Sequence, residues 1–252
     1  MILRDELARY INTLLACDSF NDYAPNGLQV EGIQQINKIC TAVTASLHTI
    51  EQAIALNAEA LLVHHGYFWR GEDAILTGMK RERICQLLMN NINLFAYHLP
   101  LDCHLELGNN ACISKLLPLV SVKTHVASKT NNLLWTGSFP QPLSAHQLLS
   151  HLASIFNREP LHIPGHHRAI KKIAWCSGGA QDYIVEAHDL GADAYLSGEI
   201  SERTYYQAKE LKIDYFACGH HATERGGIQA LGEHLSSYFG LEHHFIDSEN
   251  PV

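Results

Sequence analysis

Apolar positions along this chain keep two rhythms, one spaced as in a helix and one as in a strand. Leu7, Ile11, Leu14 and Leu15 recur at helical spacing, so Arg4 to Leu15 is expected to form an amphipathic helix. Asp22, Pro25 and Asn26-Gly27 then break the pattern and mark Asp18 to Val30 as a loop that turns tightly at Asn26-Gly27. Ile36 to Thr44 alternates like a strand, Leu47 to Leu56 reads as a helix, and Ala60 to Val63 reads as a buried strand ending at His64-His65-Gly66. Gly71 to Met89 is charged and then helical, Ile92 to Tyr97 is a strand ending at His98, and Asn109 to Leu117 is helical. Further on, Lys171 to Cys176, Ala194 to Leu196 and Ile213 to Ala217 read as strands. Helices are expected at Tyr183 to Leu190, Ser201 to Leu211 and Ile228 to Tyr238. Ser121 to Gly165, in between, reads as loops, a short strand and one helix from Ala145 to Phe156. Strands alternating with helices predict an α/β fold.

The rhythm also repeats. Ile36 to His65 slides onto Ile170 to Glu199 at a constant offset with no gap. Lys38 meets Lys172, Ile39 meets Ile173, Ala53 meets Ala187, Leu56 meets Leu190, and Glu59 faces Asp193. Convergence on a common strand–helix–strand pattern would also place matches at buried positions, but internal duplication is the preferred reading. It predicts two similar α/β halves, 1–125 and 126–252, whose equivalent strand ends meet across a cleft.

Composition narrows the class. The 252 residues are 46% hydrophobic and 17% charged, as expected of a soluble globular protein. A net charge of −8 argues against a surface built to coat nucleic acid, and no apolar run approaches the roughly 20 residues of a membrane span. The charged start, Met1-Ile2-Leu3-Arg4-Asp5-Glu6, does not read as a signal peptide. Seven scattered cysteines with no C-x-x-C pair point to reduced, buried thiols and a cytoplasmic location. The 17 histidines nearly match Lys and Arg combined, and histidine is the commonest metal ligand.

Where those histidines fall is what matters. Cys218-Gly219-His220-His221-Ala222-Thr223-Glu224 lies where a strand gives way to a helix, and the four-residue step puts His220 and Glu224 on one helical face. Local hydrogen bonding by His220 and capping by Glu224 is the plainer alternative. His98 and Asp102 repeat the spacing after the last strand of the first half. His64, His65, Asp102, His220 and Glu224 all sit at carboxyl ends of strands, where open α/β sheets place their sites. Three imidazoles and two carboxylates suit two ions better than one, and nitrogen and oxygen donors without thiolate fit Zn, Mn, Fe, Co or Ni. His98 is expected to orient a ligand or a water. Glu199 stands at the repeat position of His65 and could act as a base, or simply begin a helix. His104, His166-His167 and His243-His244 read as solvated. Gly178-Gly179 lacks a full phosphate-loop motif, Ser177 has no partner at a diagnostic spacing, and Cys176 and Cys218 read as inert.

Four segments together resemble the YbgI-like family, known as GTP cyclohydrolase I type 2 homologs and, in eukaryotes, as NGG-interacting factors. They are Asp22-Tyr23-Ala24-Pro25-Asn26-Gly27-Leu28-Gln29-Val30, Leu62-Val63-His64-His65-Gly66, His98-Leu99-Pro100-Leu101-Asp102 and Gly219-His220-His221-Ala222-Thr223-Glu224. The resemblance runs almost the full chain. It implies paired α/β halves, a dinuclear metal centre held by His64, His65, Asp102, His220 and Glu224, and a toroidal homohexamer. Two functions are then expected in order of preference. The first is a metal-dependent hydrolase of a small nucleotide-like or phosphorylated substrate, with His98 or Glu199 moving protons. The second is a non-catalytic metal-binding assembly or adaptor.

Overall fold

The computed structural model describes residues 1–252 and follows the alternating pattern from the start of the chain. β1 (Ile2–Leu3) leads into α1 (Arg4–Leu14), and β2 (Gly27–Val30) and β3 (Gln35–Ile36) precede β4 (Lys38–Thr44). Next come α2 (Leu47–Ala55), β5 (Ala60–His65), α3 (Gly78–Met89), β6 (Asn93–Ala96), the single turn α4 (Leu99–Asp102) and α5 (Asn109–Leu116). A hairpin of β7 (Val120–Ala127) and β8 (Thr130–Leu143) is followed by α6 (Ala145–Phe156), β9 (Leu161–Ile163) and β10 (Ile170–Trp175). The chain finishes with α7 (Ile184–Asp189), β11 (Ala194–Ser197), α8 (Glu202–Leu211), β12 (Asp214–Ala217), α9 (His220–Phe239) and β13 (Glu242–Phe245). No helix is long and apolar enough to cross a membrane.

Contacts divide the chain into one unit of Met1–Leu101 with Gly227–Glu249 and another of Asp102–Gly226 with Asn250–Val252. These bounds differ from a division at 125/126. Asp102 falls in the second unit, where Asn109 and Ser177 bond its carboxylate. The C-terminal strand falls in the first, because β13 pairs in parallel with β4, His243 opposite Ile39 and His244 opposite Cys40.

The first unit is built on a five-stranded sheet ordered β13-β4-β5-β6-β2, parallel except for β2. Its central strands β5 and β6 run apolar from Ala60 to Val63 and from Leu94 to Ala96, as strands buried on both faces do. Cys40, Leu61, Val63 and Leu94 pack with Ile50 and Ala53 of α2 and Leu87 of α3. Each such large side chain contributes about 1.5–3 kcal/mol on burial. Ser46 starts α2, its hydroxyl accepting from Thr49 N–H at 3.1 Å.

The second unit carries a six-stranded mixed sheet ordered β7-β8-β10-β11-β12-β9. β10, β11 and β12 are parallel, while β8 and β9 flank them antiparallel. Trp175, Ile173, Leu196 and Phe216 pack with Leu148 and Leu152 of α6. The expectation of loops and one short strand over Ser121 to Gly165 is corrected here. Helix α6 lies where expected, but β7 and β8 form a long hairpin in the sheet. Pro140 and Pro142 hid it. They fall where the β8–β10 register shifts between Ile170 and Lys172, a bulge in which a missing N–H costs no ladder bond. Three further strands also fall outside the expected elements, β1 before the first helix, β2 within the stretch read as a loop and β13 beyond the last helix.

Within each unit the same bonds recur at the repeat offset. Glu59 accepts from the backbone of Asn37 and Lys38 at 2.5 and 2.9 Å, and Asp193 from that of Lys171 and Lys172 at 3.0 and 2.9 Å. Lys38 Nζ donates to Leu56 O at 3.1 Å, and Lys172 Nζ to Leu190 O at 2.5 Å. Strand register follows suit, Ile39 opposite Ala60 in one sheet and Ile173 opposite Ala194 in the other.

Candidate metal centre

In the first unit, β5 and β6 run side by side and end together, which gathers three imidazoles. His64 and His65 close β5, and His98 follows β6. One ring nitrogen of each lies within 4.8 Å of the others. The ring centroids are 4.6 Å apart for His64–His65 and 5.1 Å for His64–His98. Gly66 follows His65 at a point where the side chain of Gln29 comes close. Gln29 lies against it, accepting from Tyr67 N–H at 2.7 Å and donating to Pro25 O at 2.9 Å. A Cβ on Gly66 would run into that amide.

The surroundings set the tautomers of His64 and His98. Buried His64 places Nδ1 2.8 Å from Tyr97 O, and a carbonyl only accepts. Nδ1 therefore carries the hydrogen, and the neutral ring's lone pair is on Nε2. His65 Nδ1 lies 3.2 Å from Thr44 Oγ1. His98 Nδ1 lies 2.7 Å from Asp22 Oδ1, while the backbone N–H groups of His98 and Leu99 donate to Asn26 Oδ1 and Asp22 Oδ2. The 22–27 loop is thereby buckled to the end of β6. Burial pushes the Asp22 carboxyl up, but the bond to His98 and its charge, with help from Asn26 and Tyr23 N–H, bring it below the ordinary value. Trp69 stands edge-on to His98 at 5.1 Å.

In the second unit, Asp102 ends α4 while His220 and Glu224 open α9. A carboxylate oxygen of Glu224 lies within 4.8 Å of one on Asp102 and of a ring nitrogen on His220. His220 Nε2 and Glu224 Oε2 are 3.2 Å apart across one helical turn. Glu199 Oε1 approaches His220 Nδ1 at 2.6 Å, so Glu199 holds that imidazole in place. The turn of α8 is capped by Ser201 instead. Burial lowers the His220 pKa, but the bonds and charges of Glu224 and Glu199 outweigh it and raise it to about 9. Asp102 is buried, and its Oδ1 accepts from Asn109 Nδ2 at 2.8 Å and Ser177 Oγ at 3.0 Å. Gly178, at φ +68°, brings its backbone against Glu224 and donates its N–H to Thr223 Oγ1 at 3.0 Å. A Cβ there would strike Glu224 Oε1.

This donor chemistry fits a divalent transition metal. The imidazoles are oriented by a carbonyl, a hydroxyl and carboxylates through the nitrogen that would face away from an ion, the usual support of metal-bound histidine. His64, His65 and His98 thus form a cluster able to take metal, and Asp102, His220 and Glu224 are further donors of the kind such an ion accepts. Sequence reasoning missed several supports. Asp22 was visible only as part of a turn, and Asn109 had no signal at all. Ser177-Gly178-Gly179 carried one: a glycine pair after a strand marks close backbone approach. His166 and His243, expected to be solvated, instead pair with Asp214 (3.2 Å) and Thr41 (2.8 Å). Cys176 and Cys218 are buried, and burial pushes both thiols up and away from a nucleophilic thiolate.

Comparison with known proteins covers the whole chain. The profile of Duf34/NIF3 (NGG1p interacting factor 3) matches residues 2–251. A "GTP cyclohydrolase 1 type 2 homolog" from Allochromatium vinosum is 47% identical over 247 residues, 98% of this chain and 96% of that protein. One of the same name from Vibrio cholerae is 48% identical over 249 residues, 98% of both chains. The solved structure titled "protein ybgI, unknown function" superposes with a TM-score of 0.95 at 43% identity, covering all of both chains.

Proposed function

Since the chain belongs to the Duf34/NIF3 family, we propose that it is a dinuclear metal-dependent hydrolase of a small nucleotide-like or phosphorylated substrate. The observation that carries this reading is the gathering of His64, His65 and His98 at two adjacent strand ends, with the tautomers of His64 and His98 set by a carbonyl and a carboxylate. His64, His65, Asp102, His220 and Glu224 are the proposed ligands of two ions of Zn, Mn, Fe, Co or Ni. Two such ions, when bound, would supply Lewis-acid polarisation of the scissile group and make water acidic enough to attack at neutral pH.

The chain's own residues have separate tasks in this scheme. Asp22 fixes His98 through Nδ1, which leaves Nε2 to exchange a proton with the substrate. Glu199 holds His220 through Nδ1 and turns Nε2 toward Glu224. Asn109 and Ser177 hold Asp102 by donating to Oδ1. Trp69 packs T-shaped against His98, ring centroids 5.1 Å apart, and helps hold that imidazole in place. The relatives' name points to ring-opening hydrolysis of GTP as one reaction of this kind. A toroidal homohexamer of similar α/β halves completes the proposal.

The test is turnover of a nucleotide and phosphoester panel by protein loaded in turn with each of the five metals. The reading expects hydrolysis by at least one form. It expects His64→Ala and Glu224→Ala, still folded by circular dichroism, to lose about 10²-fold or more in kcat/KM. No turnover with any metal would leave the adaptor reading in its place.

A further inference from the structure

The second unit holds another ordered group of titratable side chains, at the opposite end of its sheet from His220. Asp214 begins β12 and is fully buried. Its Oδ1 accepts from His162 Nε2 at 2.9 Å and from Gly165 N–H at 3.2 Å. The His162 ring lies flat on Phe216, centroids 4.5 Å apart and planes 10° from parallel. A carboxylate accepts, so His162 carries its hydrogen on Nε2 and keeps Nδ1 for another partner. The ring is therefore fixed in place and tautomer by a carboxylate and an aromatic face, the support expected of a working imidazole rather than a solvated one. His166 serves as a brace. Its Nε2 donates to Asp193 O at 2.9 Å, and its Nδ1 meets Arg168 N–H at 3.1 Å and Asp214 Oδ2 at 3.2 Å.

A cavity of about 560 Å³ opens against this group, within the range of small-molecule sites. His146, His162, His166, His167 and Arg168 line it, and no carboxylate does. Leu149 and Pro164 give it an apolar wall. The Arg168 guanidinium is exposed and reaches Asp193 only loosely, at 3.8 Å, so it is able to turn inward. A metal ion does not suit this lining. Both nitrogens of His166 are committed, Asp214 lies behind the imidazoles, and Arg168 repels a cation. An anion with several acceptor oxygens suits it, since the Arg168 guanidinium donates and His146 and His167 can each present an N–H, while His162 Nδ1 remains as an acceptor. The volume exceeds that of an inorganic anion, and the apolar wall takes carbon.

We propose that this cavity is a second ligand site, for a small hydroxylated phosphate monoester. The phosphate lies against Arg168, His146 and His167. A ligand hydroxyl donates to His162 Nδ1, and the carbon skeleton packs on Leu149 and Pro164. The site is independent of the metal centre and does not rest on the hydrolase reading.

Glycerol 3-phosphate is the probe, titrated by calorimetry into the full chain. The His220→Ala chain serves as background, so that phosphate taken up by a metal centre is not counted. The proposal expects saturable binding that persists in the His220→Ala background. Adding Arg168→Ala, an exposed position, should weaken it tenfold or more, and adding His162→Gln should do so as well. Glycerol alone should not bind. Absence of binding in that background overturns the proposal, as does binding that survives both Arg168→Ala and His162→Gln. Should His162→Gln prove unfolded, the Arg168→Ala result decides alone.

Discussion

A methyl group at position 178 has nowhere to go. Gly178 sits at φ +68° with its backbone against Glu224, so alanine there meets left-handed strain and the Glu224 carboxylate together. Gly178→Ala should cost about 1–3 kcal/mol in denaturant unfolding of the metal-free chain and should weaken metal uptake. Unchanged stability and uptake would show that Glu224 does not depend on this close approach. His220 gives a second residue-scale test. In the metal-free chain its pKa stands at about 9, above the ordinary 6.5, because Glu224 and Glu199 overcome the effect of burial. A folded-state value raised in this way stabilises the fold fully below the ordinary value and ceases to do so as pH rises through the folded one. Thermal melts of the metal-free chain should therefore lose a His220-dependent contribution between about pH 6.5 and 9, and His220→Gln should remove that dependence. An identical pH profile in the variant would rule the explanation out.

At the scale of elements, the internal repeat is the strongest regularity. Glu59 and Asp193 each tie two backbone N–H groups of a preceding strand, at matching positions in their units. Glu59→Ala and Asp193→Ala should each cost roughly 1–2 kcal/mol, measured by chemical denaturation. A cost for one and none for the other would break the equivalence. Much of this level was legible in the sequence. Buried parallel strands and amphipathic helices announce themselves by period, so β4, α2, β5, β10 and β11 fell where the pattern put them. The β7–β8 hairpin did not, because Pro140 and Pro142 look like loop residues until the bulge beside Ile170 is known. β13 was missed for a different reason. His243 and His244 look polar, yet strand pairing with β4 and the bond to Thr41 give His243 a place inside the first unit. The candidate ligands were legible because strand ends and four-residue spacing are local signals. Their supports from Asp22, Asn109 and Ser177 were not, since each reaches its partner across tens of residues or from a separate element.

At the scale of the whole molecule, the chain is discontinuous in a way that no split at its midpoint captures. Residues 227–249 return to the first unit, and Asp102 opens the second. The ring proposed for the assembled protein predicts a mass by light scattering of six chains, and a monomer at micromolar concentration would dismiss it. The central claim is nevertheless about metal, and it is tested most directly by the metal-to-chain ratio of the purified protein. The account predicts two transition-metal ions per chain by elemental mass spectrometry after loading and desalting. A ratio of one or none at saturation would contradict it.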